Sequence, residues 1–162
     1  MTEMNKYIWL VIIAGIVIVL DQVTKAMILN TLPLSGSLSI IPGFFNLVHV
    51  QNPGGAFGFL AHQSDVIRKI VFIFISILAA GLVLWFYRKT QETHPFLASG
   101  FALIFGGAVG NLIDRIRFGR VVDFLDFYIA SYHWPAFNVA DSAITVGIAI
   151  FIFHLLFREI PE

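Results

Sequence analysis

Long apolar runs decide what this chain can fold into. Residues 7–29, 70–87, 95–113 and 139–157 are mostly aliphatic or aromatic, each about 18–23 residues long. A hydrocarbon layer of ~30 Å is crossed by roughly 20 helical residues, so each run is a candidate transmembrane helix. The first run opens with fourteen uncharged residues and carries "DQVTK" near its far end. Its length, and the poor match of "DQVTKAMILN" to a small-residue cleavage site, argue against a cleaved signal peptide.

Composition points the same way. The 162 residues suit one domain, taken here as a single membrane-embedded unit over 1–162. With 58% hydrophobic and 12% charged residues, and seventeen Phe, too little polar side chain remains to cover a water-soluble globule. Ten basic residues balance ten acidic ones, so a nucleic-acid partner has no electrostatic support. Without cysteine there is no disulfide, thiol nucleophile or thiolate metal site. Five scattered histidines show no metal-ligand spacing, and no metal or organic cofactor is expected.

The connecting segments differ in kind. In "SLSIIPGFFNLVHVQNPGGAFGFL" β-branched and aromatic residues alternate with Pro and Gly. This pattern predicts short strands over 38–41 and 45–50 and a glycine loop at 53–55, a strand-rich insert of about 37–60. The stretch "DRIRFGRVVDFLDFYIASYHWPAFN" is too charged for lipid and too aromatic for a solvated linker. It suits an interfacial segment with Tyr128, Tyr132, His133 and Trp134 at headgroup depth. The fold class expected is therefore an all-α polytopic membrane protein with four transmembrane helices, a small sheet and that interfacial segment.

An even number of spans puts both termini on one side. Lys6, Arg88, Lys89 and Arg158 fall on that side, and Lys25, Arg68, Lys69, Arg115, Arg117 and Arg120 on the other. A raw positive-inside count thus leans towards termini outside. Several of those arginines lie beside acidic residues as potential site groups, so charge alone leaves orientation open.

Ionisable residues near lipid require a reason to be there. Asp21 and Lys25 are four apart, on one helix face, as a pair anchoring the first helix would be. Asp114 and Arg115 directly follow the third span, with Asn111 one turn earlier, a spacing that fits charge compensation as well as function. Asp123 and Asp126 sit in "VVDFLDF", and Asp141 opens the fourth span. Two carboxyls brought close share a proton and can activate a water against a peptide carbonyl, one as base and one as acid. Equally, Asn138 or Asp141 could cap the fourth helix. Ser142 has no partnered base in view, and His154 lies in an apolar run, so a serine triad is not indicated.

"DQVTK", "NPGGAFGFL", "GGAVGNLIDRIRFGRVVDFLDF" and "FNVADSAI" resemble, in order, the signature blocks of the lipoprotein signal peptidase (signal peptidase II) family. The blocks cover nearly the whole chain. The resemblance implies a bacterial inner-membrane aspartic endopeptidase that removes the signal peptide from prolipoproteins, cutting before a diacylglyceryl-modified cysteine. It implies Asp123 and Asp141 as the catalytic pair, with Asn52, Asn111, Arg115 and Asn138 lining the site and Asp21 and Lys25 mainly structural. Asp114 is read as a supporting ion partner. The resemblance also implies an extracytoplasmic sheet that receives substrate, and both termini in the cytoplasm, against the raw charge count. Expected partners are the lipidated prolipoprotein and membrane lipid, with the enzyme a monomer.

Two other classes compete. A proton- or ion-coupled transporter would relay protons through Asp21, Asp114 and Asp141, but usually shows repeated halves and broken helices. A structural assembly factor would use its acids only to pair with arginines.

Overall fold

The computed structural model describes residues 5–54, 63–91 and 93–157. In chain order these form α1 (Lys6–Thr31), β1 (Ser37–Ile41), β2 (Phe45–Asn52), α2 (Asp65–Lys89), α3 (Pro95–Phe118), β3 (Val121–Ile129), β4 (Tyr132–His133) and α4 (Val139–Phe157). All four expected spans are helices long and apolar enough to cross a membrane. The first three exceed their expected bounds, gaining polar turns such as Asp65–Lys69 and Asp114–Phe118. Hydropathy ends where polar residues begin, whereas the helix continues to satisfy its backbone beyond the hydrocarbon. At a rise of about 1.5 Å per residue α4 spans ~28 Å, one hydrocarbon thickness.

Local chemistry sets the helix ends. Asn5 Oδ1 accepts from the Tyr7 N–H at 2.9 Å, and Ser64 Oγ from the Ile67 N–H at 3.4 Å. Pro95 occupies the first turn of α3, where no N–H is needed. Gly119 closes α3 in the left-handed region at φ 74°, turning the chain directly into β3.

Helix α3 packs against α1, α2 and α4. Small residues in "FGGAVGN" permit this, as expected for packing without a hydrophobic drive between helices. A Cβ on Gly106 would lie 2.9 Å from Ala14 Cα, and one on Gly110 2.7 Å from Asp21 Oδ2. Either would push α1 away from α3. The outward faces are apolar and exposed, with Val11 and Val19 on α1, Ile70 and Phe74 on α2, and Val146 and Phe153 on α4.

One antiparallel sheet, in the order β1-β2-β3-β4, crowns one end of the helices. The strands expected over 38–41 and 45–50 are present, and β2 continues to Asn52. The segment expected to lie at the interface contributes β3 and β4 to this sheet. Its "VVDFLDFYI" is a strand whose successive side chains take opposite faces, sending Val122 and Phe124 onto Ile28, Leu29 and Leu32 at the end of α1. Part of the predicted glycine loop and insert, residues 55–60, lies outside the described residues. So do Glu3, Glu92, Arg158, Glu159 and Glu162.

Candidate active site

A buried cation organises the sheet end of the bundle. Lys25 Nζ lies 2.9 Å from both Asp21 Oδ2, on its own helix, and Asp114 Oδ2 on α3, and donates to Asn111 Oδ1 at 3.0 Å. Lys25, Asp21 and Asp114 are at most 2% exposed. Charges so buried persist only when every partner is present. Each carboxylate also reaches the next element. Asp21 Oδ1 accepts from the Ala140 N–H at 3.0 Å, and Asp114 Oδ2 from the Val122 N–H at 3.1 Å. The i,i+4 pair expected in "DQVTK" therefore also ties down the start of α4 and the start of β3. Asp114, expected beside Arg115 as mutual compensation, has Lys25 as its ion-pair partner.

Asn111 passes this framework on to a second carboxylate. Its Nδ2 donates to Asp141 Oδ1 at 2.7 Å, and its Oδ1 also accepts from Asn138 Nδ2 at 3.2 Å. Asn138 and Asp141 cap α4 reciprocally: the Asp141 N–H donates to Asn138 Oδ1 at 2.9 Å, and the Asn138 N–H to Asp141 Oδ2 at 3.3 Å. The capping alternative for Asp141 is thus realised, and it does not exclude another role. The same Asn138 Nδ2 donates to Asp123 Oδ1 at 2.7 Å, while Asn52 Nδ2 donates to Asp123 Oδ2 at 3.1 Å. Four elements, β2, β3, α3 and α4, converge on two carboxylates.

Asp123 is 3% exposed, and its carboxyl is pushed up to about 6. Burial is the main cause, and the charge of Asp141 the second. The amides of Asn52 and Asn138, and the charge of Lys25, pull it part of the way back. Arg115, one turn beyond Asn111, is in electrostatic reach of Asp141, Asp114 and Asp123. Among the described residues no hydrogen bond holds its guanidinium, so its fork is available to a bound carbonyl.

The remaining acids fall elsewhere. Because 121–129 is a strand, Asp126, three residues from Asp123, faces the other side. There it accepts from Asn46 Nδ2 at 2.9 Å and lies 2.8 Å from His133 Nδ1. Asp65 pairs with Arg68 and lies 3.7 Å from Arg120. Sequence reasoning missed Gln22, whose Nε2 donates to Asp114 Oδ1 at 3.0 Å, to Asp21 Oδ2 at 3.1 Å and to the Gly110 carbonyl at 3.2 Å. Its position beside Asp21 in "DQVTK" was the available signal. No group of three or more His, Asp or Glu among the described residues could hold a metal ion.

Residues 13–157 match the model of a family described as Signal peptidase (SPase) II. A lipoprotein signal peptidase of Desulforapulum autotrophicum is 56% identical over 153 residues, covering 94% of each chain. That of Syntrophus aciditrophicus is 45% identical over 148 residues, covering 91% of this chain and 92% of its own. A solved structure described as a bacterial membrane enzyme, determined in meso at 2.3 Å, matches with TM-score 0.80 and 35% identity. It covers 94% of this chain and 93% of that one. With the family's pattern running from α1 to the end of α4, over Asn52, Asn111, Asn138, Asp123 and Asp141, this chain belongs to the signal peptidase II family of membrane peptidases.

Proposed function

We propose that the chain removes the signal peptide from diacylglyceryl-modified prolipoproteins, cutting before the lipidated cysteine with Asp123 and Asp141 as an aspartic dyad. The observation that carries this reading is the single amide of Asn138, which bonds Asp123 while its own helix cap engages Asp141. Two carboxyls tied to one residue, with the charge of one raising the other, can share a proton. The ionised one takes a proton from water as it attacks the scissile carbonyl. The protonated one then gives its proton to the departing amine. Asp123, titrating at about 6, can hold or release that proton near neutral pH. Arg115 donates to the carbonyl oxygen as charge develops on it, and Asn52 and Asn111 hold the carboxylates in place.

The enzyme sits in the bacterial inner membrane as a monomer, with both termini cytoplasmic and the sheet end extracytoplasmic. The acyl chains of the substrate cysteine stay in the outer leaflet. A site at the sheet end of α3 and α4 meets the scissile bond there without drawing it into hydrocarbon.

The test is cleavage of a purified diacylglyceryl-modified precursor and its unmodified counterpart in the same detergent. The modified precursor should be cut by the wild type and not by Asp141→Asn, and the unmodified one poorly by either. Equal cleavage of both precursors would remove the lipid from recognition. Undiminished cleavage by Asp141→Asn would remove the dyad.

A further inference from the structure

Resting on the orientation just proposed, six cations lie on the side where the positive-inside tendency disfavours them. Two are absorbed by the site: Lys25 by its carboxylates, and Arg115 by the dyad. Arg117 donates to Gln22 Oε1 at 3.4 Å. The other three, Arg68, Lys69 and Arg120, converge on one cavity.

This cavity, about 160 Å³, opens where the start of α2 meets the α3–β3 turn, and Pro53, Phe118 and Gly119 complete its wall. Asp65 is the acidic residue in its lining. It is paired with Arg68 and lies 3.7 Å from Arg120, so one carboxylate faces three cations. Among the described residues Lys69 has no acidic partner. Its stem lies across Gly119, where a Cβ would come within 3.3 Å of Lys69 Cδ. The wall therefore carries a net charge of +2 with Asp65 ionised. An exposed Val66 and Ile70 on α2, and Phe118 on α3, lie beside it, placing the cations where apolar helix surface gives way to polar chain.

We propose that Arg68, Lys69 and Arg120 form a binding slot for the phosphate of an anionic phospholipid headgroup, with the acyl chains lying along α2. Guanidinium and ammonium groups together suit a phosphodiester, the former by its fork and the latter as a point charge. A net charge of +2 favours a headgroup with a full negative charge over a zwitterionic one. Pro53 in the wall adjoins Asn52, which donates to Asp123. The bound lipid thus sits at the rim of the dyad, where it fills the surface next to the substrate's own acyl chains.

The experiment is native mass spectrometry of the purified full chain, delipidated and then supplied with equal phosphatidylglycerol and phosphatidylcholine. Neither cleavage nor membrane orientation enters the readout, so failure here is separable from failure of the proposed function. Wild type should retain phosphatidylglycerol roughly tenfold over phosphatidylcholine, because both offer the same phosphate but only choline brings a positive charge against the cationic wall. Lys69→Gln and Arg120→Gln should each lower that preference, and the double variant should abolish it with an unchanged melting temperature. Both single variants spare the Asp65–Arg68 pair, so folding is protected. Equal retention of the two lipids, or unchanged preference in the double variant, would overturn the proposal. So would loss of the lipid to millimolar inorganic phosphate, which would identify a soluble anion as the ligand.

Discussion

Asn138 and Asp123 meet through a 2.7 Å hydrogen bond that joins the cap just before α4 to β3. Asn138 is fully buried and also caps α4 by accepting from the Asp141 N–H. One side chain therefore fixes where the helix starts and how the two carboxyls lie relative to each other.

Asp123→Asn and Asp141→Asn should each abolish cleavage of lipidated precursor at normal expression and with a near-normal melting curve. A neutral amide can neither hold nor accept the travelling proton. The double variant should lose little more than either single one, because groups acting as a unit are strongly non-additive. Asp126→Asn, altering the opposite face of β3, should retain measurable activity. A dead Asp126→Asn beside an active Asp123→Asn would move the dyad three residues along.

Folding stability should fall as pH rises from about 4 to about 6. Asp123 titrates at about 6 in the fold, above its usual 3.8, so the folded state holds a proton that the unfolded chain has released. Its contribution is largest below the unfolded value and is lost as pH passes the folded one, of order 2–3 kcal/mol in all. Chemical denaturation at several pH values should show this slope in the wild type and its loss in Asp123→Asn. Cleavage should decline on the alkaline side as the shared proton leaves, with an apparent pKa near 6.

Lys25→Met should be far more damaging than its position among apolar neighbours suggests. It leaves Asp21 and Asp114 buried together without their cation, a loss of roughly 3–5 kcal/mol for a broken buried pair. Asp114→Asn should likewise lose activity mainly through stability, since Asp114 also holds the Val122 N–H. Thermal melts should fall in both. A normal melt in Lys25→Met would show that the three charges contribute nothing net.

Arg115→Lys should lower activity while the protein still inserts and melts normally. Lysine keeps the charge but not the planar fork suited to two contacts on a substrate. Full activity in Arg115→Lys would show that positive charge beside the carboxylates suffices.

A reporter that works only outside the cytoplasm should be active when fused at Ser39 or Tyr132. It should be silent after Glu162 and in the 89–94 loop. The reverse pattern would vindicate the raw charge count and place the dyad on the cytoplasmic side.

Much of the architecture was legible because it depends on local properties. An apolar run of the right length in lipid has no alternative to helix, since every backbone group must be satisfied within the segment. The four spans follow from that, and the β-branched runs around Pro42 and Gly43 give β1 and β2. Spacing could not choose between Asp123 and Asp126, because the answer depends on whether 121–129 is helix or strand. Two acids three residues apart among apolar residues in "VVDFLDF" fit either until β2 is there to pair with it. Once paired, the two carboxylates face opposite sides.

The ion cluster was legible only in part. Asp21 and Lys25 pair through the helical repeat alone, but Lys25 meets Asn111 across 86 residues of chain. That meeting requires α1 to approach α3 closely at Gly106 and Gly110, a matter of how two helices pack. The charge count does not register such packing either. It treats every cation as a loop charge facing water, whereas Lys25 is buried among its partners and Arg68 and Arg120 gather around Asp65. Local hydrophobicity decided what crosses the membrane, and long-range packing decided which charges meet.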